Sequence, residues 1–283
     1  MTPLRKRMLE DLQLKGYSPA TQKTYVETVK RMACEYGKSP ELMTEEELRS
    51  YLLGLQKELA PGSLRVVVPA IRFLFMVTLQ RQWPVLEFAR PPKERPLPVV
   101  LSQAEVRTIL ALVRAPVYRV CLSTIYSCGL RISEGAHLRC KDVDTQRMVL
   151  RVRGKGNKDR QVPLAESTLQ RLREWWKMHR SEPWLFPARM QPHSQCDEGP
   201  VKIFNLQNAF AAARVESGVN KAAHVHTLRH SYATHLMEAG VQLRIIQEIL
   251  GHRSPRTTAI YTHLTTEVWA QLKNPLQRLT QNL

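Results

Sequence analysis

The stretch MVLRVRGKGNKDRQVPL, residues 148–164, changes the period of the sequence. Met148, Leu150 and Val152 alternate with Val149, Arg151 and Arg153, the two-residue repeat of a strand with one covered face. Gly154-Lys155-Gly156-Asn157 then supplies a turn, and Val162 and Leu164 belong to a returning strand. A β-hairpin is therefore expected in a chain whose other apolar residues recur at helical spacing. The predicted fold class is mainly α with a small β-hairpin or sheet, α+β.

Helical patterns resume on both sides of the hairpin. Downstream they run through Leu169, Leu172 and Trp175/Trp176, from Phe204 to Ala213, from His226 to Ala239, and from Leu243 to Leu250. The segment from Pro187 to Pro200 is expected to be a mobile loop. Upstream, Ser102-Gln-Ala-Glu105 reads as a capping box, Leu110–Val113 and Val117–Tyr126 as helices, and Gly129 as a helix stop. Farther upstream, RPPKERPLP at residues 90–98 holds four prolines in nine positions, which prevents regular helix and favours an extended connector. The predicted organisation is a helical domain at residues 1–89, a Pro-rich linker at 90–98 and a second domain at 99–283. In the first domain Ser18-Pro19 reads as N-cap and N1, and Thr44-Glu-Glu-Glu47 as a capping box, within a bundle of about four helices. Pro69 must either kink a helix running from Ser63 to Gln80 or delay its start.

Composition narrows the partners. The 283 residues are 43% hydrophobic and 24% charged, which argues against a disordered, collagenous or disulfide-scaffold chain. The formal net charge of +17 is shared by both parts, +5 up to Leu97 and +12 from Pro98 on, so polyanions are the natural partners. The five cysteines form no CxxC pair, which favours a reducing compartment and argues against a Cys-rich zinc site. The first fifteen residues lack the apolar stretch of a signal peptide, and the apolar region Val66–Leu79 is broken by Pro69 and Arg72. A soluble cytoplasmic protein with no membrane association is expected.

Four short segments carry polar groups that packing alone would not require. They are Gly129-Leu-Arg131-Ile-Ser-Glu134, Gly154-Lys155-Gly156, His226-Thr-Leu-Arg229-His230, and Leu250-Gly-His252 followed by Tyr261. Each has an ordinary explanation: a surface arginine, a solvated turn, histidines capping helix ends, a half-buried tyrosine. Their combination is less ordinary. His226 and Arg229, three apart on a helix, share a face and could contact one anion. Arginines can hold two phosphate oxygens and stabilise transition-state charge, and a lysine or histidine can protonate a leaving oxygen. A tyrosine with an ordinary pKa near 10 needs a base or a positive field to attack phosphorus, and these residues supply one. The sequence contains no plausible metal-carboxylate cluster, Walker A sequence or dinucleotide fingerprint, so no metal or other cofactor is expected.

In order, GLRISE, RGKGNKDRQVPL, HTLRHSYATHL and LGHRSPRTTAIYTHL closely resemble the motifs of the tyrosine recombinase (phage integrase) family, especially its Xer-like members. The resemblance covers the second domain and implies a C-terminal tyrosine recombinase catalytic domain. SPATQKTYVETVKRM resembles, more generically, the opening helix of the family's N-terminal helical core-binding (SAM-like) domain. Position by position, the resemblance implies that Arg131 and Arg229 bind phosphate, Lys155 is the hairpin lysine, His226 and His252 are the paired histidines, and Tyr261 is the nucleophile. It further implies a 3′-phosphotyrosyl intermediate, a clamp around double-stranded DNA, and a homo-oligomer on DNA, commonly a tetramer. A partner recombinase or accessory DNA-binding proteins are compatible with it. Gly135-Ala136-His137 departs from the family's bulkier apolar residues, which predicts local repacking there.

The expected role is integration, excision or transposition of a mobile element. Alternatives are Xer-type dimer resolution of chromosomes or plasmids, a relaxing topoisomerase, and, in a different class, a non-catalytic DNA-binding regulator. A stripe of Val268, Trp269, Leu272, Leu276 and Leu279 after Tyr261 would dock on a neighbouring subunit or pack on its own domain.

Overall fold

The computed structural model describes residues 1–88, 98–153, 159–180, 182–188, 199–251, 274–275 and 277–279. The chain divides into two compact units, Met1–Pro96 and Leu97–Leu283.

The first unit is helical: α1 (Pro3–Leu14), α2 (Pro19–Tyr36), α3 (Glu45–Glu58), α4 (Pro61–Arg72) and the short α5 (Val85–Phe88). Side chains start these helices where the sequence indicates. The Thr21 N–H donates to Ser18 Oγ ahead of α2, and Thr44 and Glu47 exchange two bonds ahead of α3. Each such cap satisfies otherwise orphaned N–H groups and is worth about 1 kcal/mol. The core is apolar, with Leu12, Met32, Leu48, Ile71, Leu74 and Phe75 withdrawn from solvent.

Pro69 does not delay its helix, which begins at Pro61 and contains it. The chain continues without interruption into π-helical turns over Phe73–Thr78, where the Leu79 N–H reaches the Leu74 carbonyl at 2.9 Å. The wider turn brings the consecutive residues Phe73, Leu74 and Phe75 into the core together. This 18-residue helix, Pro61–Thr78, has a mean hydropathy of 1.3 and is long and apolar enough to cross a membrane. Half of it is buried within the structure, as expected of a core helix.

The second unit contains α6 (Gln103–Ala111), α7 (Pro116–Ser127), α8 (Ile132–Ala136), strands β1 (Val143–Asp144), β2 (Val149–Arg153) and β3 (Asp159–Pro163), then α9 (Glu166–His179), α10 (Ile203–Glu216), α11 (Val225–Glu238) and α12 (Leu243–Leu250). The expected hairpin is β2 and β3, paired antiparallel with Leu150 opposite Val162 and Val152 opposite Arg160. Leu150, Val152 and Val162 are buried and Arg151 and Arg153 face solvent, as the alternation requires, whereas Val149, on the arginines' face, is buried as well. The two-residue β1 adds a third strand that alternation could not reveal. The predicted turn with Lys155 lies outside the described residues. So does most of the predicted Pro187–Pro200 loop, whose ends are joined by an Ala188 N–H to Gly199 carbonyl bond of 3.1 Å.

Helix α7 is buried from Cys121 through Ser127. Gly129, at φ +58°, turns the chain from it toward α8. A methyl at Gly135 would lie 2.5 Å from Ile125 Cγ1, so a glycine there lets α8 settle directly on α7. His137 is exposed, and its Nδ1 donates to the Ser133 carbonyl at 2.8 Å. Of the C-terminal stripe, Leu279 is buried with the core of its own unit, and the other four residues lie outside the described set.

Candidate active site

Arg131, His226 and Arg229 come together; Lys155, His252 and Tyr261 lie outside the described residues. Arg131 sits at the N-cap of α8, immediately beyond the Gly129 turn. His226 and Arg229 sit on the first turns of α11, whose start is held by an exchange of bonds between His224 and Thr227.

A single carboxylate organises the arginines. Glu134, with 5% of its side chain exposed, accepts from Arg131 Nη1 at 2.7 Å and from Arg160 Nη1 and Nη2 at 2.8 Å each, and lies 3.7 Å from Arg229 Nη1. The Arg131 backbone N–H adds a further bond of 2.7 Å. Burial alone would raise the Glu134 pKa; the donors from Arg160 and Arg131 outweigh it and bring the value to about 2. Glu134 is therefore ionised at neutral pH.

The two arginines differ in access. About a third of the Arg131 side chain, 36%, is open to solvent. Arg229 is 2% exposed, and its Nη1 and Nη2 donate to the carbonyls of Gly129 at 2.7 Å and Leu250 at 2.5 Å. Withdrawal from water, then the charge of Arg131, lower the Arg229 pKa to about 10, so it stays cationic at pH 7. Gly129 is indispensable here: a methyl would meet the Tyr232 ring at 2.5 Å and Leu250 at 2.8 Å.

His226 packs edge to face on His230, ring centroids 4.7 Å apart. Partial desolvation, followed by the charges of His230, Arg229, His224 and Arg131, lowers its pKa to about 4. At neutral pH it is an uncharged imidazole able to accept a proton. His235 belongs to the core, its Nδ1 2.8 Å from the Tyr126 hydroxyl. Among the described residues, no three His, Cys, Asp or Glu side chains group as a metal site.

Glu134 and Arg160 each stand inside a quoted motif, GLRISE and RGKGNKDRQVPL, without a role readable from the sequence. The available signal was Glu134 three residues after Arg131 at a helix start; nothing local pairs Glu134 with a residue 26 positions away.

Two mutually repelling arginines held near one buried carboxylate, beside a neutral histidine, make a cationic cluster of the kind that can hold a phosphate group, on a strongly basic chain. Residues 99–267 match the model of the phage integrase family, and residues 4–85 match that of the phage integrase N-terminal SAM-like domain. The chain is 41% identical over 283 residues to protein y4qK of Sinorhizobium fredii, covering 99% of this chain and 90% of that one. It is 32% identical over 260 residues to tyrosine recombinase XerA of Pyrococcus horikoshii, covering 90% and 87%. A lambda integrase tetramer bound to a Holliday junction aligns with a TM-score of 0.71 at 18% identity, over 91% of this chain and 78% of that one, a likeness of fold. The chain belongs to the phage integrase family and is a tyrosine recombinase, an enzyme of site-specific DNA recombination.

Proposed function

We propose that Arg131, Lys155, His226, Arg229, His252 and Tyr261 form one metal-free phosphoryl-transfer site on double-stranded DNA. The Tyr261 hydroxyl attacks the scissile phosphorus and its proton passes to neutral His226. The bond from phosphorus to the 5′ oxygen breaks, Lys155 protonates that oxygen, and the phosphate stays joined to Tyr261 as a 3′-phosphotyrosine. Arg131, Arg229 and His252 hold the non-bridging oxygens as charge grows on them. A 5′-hydroxyl from a second duplex reverses the step. The bond energy is retained in the covalent intermediate, so neither ATP nor a metal is consumed.

The observation carrying this reading is the convergence of Arg131, His226 and Arg229, from segments about a hundred residues apart, beside Gly251, the residue before His252. The domain at residues 1–89, the linker at 90–98 and the catalytic domain at 99–283 would close around the duplex. By analogy with the lambda integrase tetramer on its junction, the working form is a homo-tetramer on two DNA sites. The protein acts in the cytoplasm, where the DNA is. Its role is integration, excision or transposition of a mobile element; similarity to y4qK, a putative integrase/recombinase, at 41% identity supports the integrase side of that reading, and dimer resolution is the second reading, supported by the Xer relative's 32% identity.

The test is covalent trapping: incubate the protein, without metal or ATP, with nicked duplexes from DNA flanking its gene. A denaturant-resistant adduct that Tyr261→Phe abolishes is the expected result. An equal adduct from Tyr261→Phe removes Tyr261 as nucleophile, and tight specific binding with no adduct favours the regulator.

A further inference from the structure

The end of α12 is held in an unusual way. Its last carbonyls have no intrahelical donors, and three successive ones are each met by a different arginine. Arg160 Nε donates to Ile249 at 2.8 Å, Arg229 Nη2 to Leu250 at 2.5 Å, and Arg131 Nη2 reaches Gly251 at 3.4 Å. These are the same three guanidiniums that surround Glu134. Arg160 differs from the other two in origin and in geometry. It comes from β3, its side chain is only 12% exposed, and both Nη atoms grip Glu134 while Nε holds the helix end. Its stem also fills the space beside Gly251, where a methyl would lie 2.9 Å from Arg160 Cδ.

We propose that Arg160 is a positioning residue for strand cleavage: by clamping Glu134 and the Ile249 carbonyl together, it fixes the end of α12 against the Arg131–Arg229 pair. The proposal rests on the phosphoryl-transfer reading above and names what holds that site in register. Arg160 takes one Nη bond to each Glu134 oxygen, so the carboxylate cannot swing to follow Arg131. Arg131 then keeps a fixed partner and an open face for phosphate. Stability alone is a poor reason for such a group, because buried ion pairs are commonly replaceable by apolar side chains without loss of stability. Fixed geometry is a better one, since misplacing reacting groups by about 1 Å can cost about a hundredfold in rate.

The test compares full-length wild type, Arg160→Met and Arg160→Lys on nicked duplexes, reading single-turnover cleavage at saturating DNA, DNA affinity and melting temperature. A second substrate carries sulfur in place of the 5′ bridging oxygen, a leaving group that needs no proton. Arg160→Met is expected to cleave about a hundredfold more slowly, with affinity within about threefold of wild type, and sulfur is expected not to restore the rate. Arg160→Lys keeps the charge and the stem but not the planar fork, and is expected to lose about tenfold at an unchanged melting temperature. The proposal is overturned if both variants cleave within about threefold of wild type, if lost rate follows lost affinity or unfolding in both, or if sulfur restores Arg160→Met. The last result would route Arg160 through leaving-group protonation instead of the arginine pair. Failure of wild type itself to form a Tyr261-dependent adduct would strike the underlying reading, not the role of Arg160.

Discussion

The two units solve the interior differently. In Met1–Pro96 the buried residues are almost all apolar, and the buried polar ones named among the described residues are Thr28 and Thr78. In Leu97–Leu283 the interior described also takes in Arg229, His179, His235 and five serine and threonine side chains from Ser123 to Thr227, with Ser231 beyond them. An apolar core is stabilised by area and shape and tolerates approximate solutions. A buried polar network has to be completed group by group, because each orphaned member costs what its neighbours contribute. The first unit is thus built to be a stable body, and the second to hold charges where water would otherwise scatter them.

That contrast can be broken most directly at its charged centre. Glu134→Gln leaves Arg160 and Arg229 without a buried counter-ion and is expected to destabilise the second unit by about 3–5 kcal/mol, read by denaturant titration with hydrogen exchange in α11. The matching cut in the first unit is Leu12→Ala, a side chain with 0% exposure. It should cost about 2–5 kcal/mol through its cavity, loosening exchange in α2 while leaving α11 protected. Gly129→Ala combines φ +58° with a methyl 2.5 Å from the Tyr232 ring, and a loss above about 1 kcal/mol is expected by the same titration.

Acid should separate the units without mutation. All nine histidines follow residue 97. Those with shifted values, His179, His226, His230 and His235, are all shifted downward, chiefly by burial. The unfolded chain takes up protons near pH 6.5 before the folded one does, so stability of the second unit falls as pH drops from about 6.5 toward 4. The first unit should hold in that window. Below it, Glu134 and, in the first unit, Glu47, both at about 2, lose their share as pH falls from about 4.5 through 2. Segment-resolved hydrogen exchange at pH 7, 5 and 4 checks this, and equal loss in α2 and α11 at pH 5 would contradict it. The smallest effect is expected at Arg180, an exposed non-glycine residue at φ +47° that ends α9 in the left-handed conformation. Arg180→Gly should stabilise by up to about 1 kcal/mol, measured as a melting shift.

What was legible in the sequence had a period or a local signature. The alternation at Leu150 and Val152, the capping pairs Thr44–Glu47 and Ser102–Glu105, and the stop at Gly129 each depend on neighbours a few residues away, and the structure has them. Arg131, His226 and Arg229 could be marked as candidates because each sits in a short ordered motif. The π-helical turns after Pro69 were not, since a proline does not say how the ladder will be repaired. Nor was the two-residue β1, too short to alternate. Arg160 escaped notice because an ion pair spanning 26 residues leaves no mark in either segment: beside its exposed neighbour Asp159 it reads as another hairpin charge.

The clustering of three guanidiniums on one carboxylate and one helix end also sets a count. The negative pole of α12 is equivalent to roughly half a charge, so Arg131, Arg160, Arg229 and Glu134 leave the cluster at roughly +1.5. One phosphodiester, carrying a single negative charge, brings that close to neutrality, and little attraction is left for the next phosphate along the strand. On the function proposed above, such a cluster would work as a ruler: it would take up the DNA backbone one link at a time, and the position of the cut would follow from which single phosphate enters.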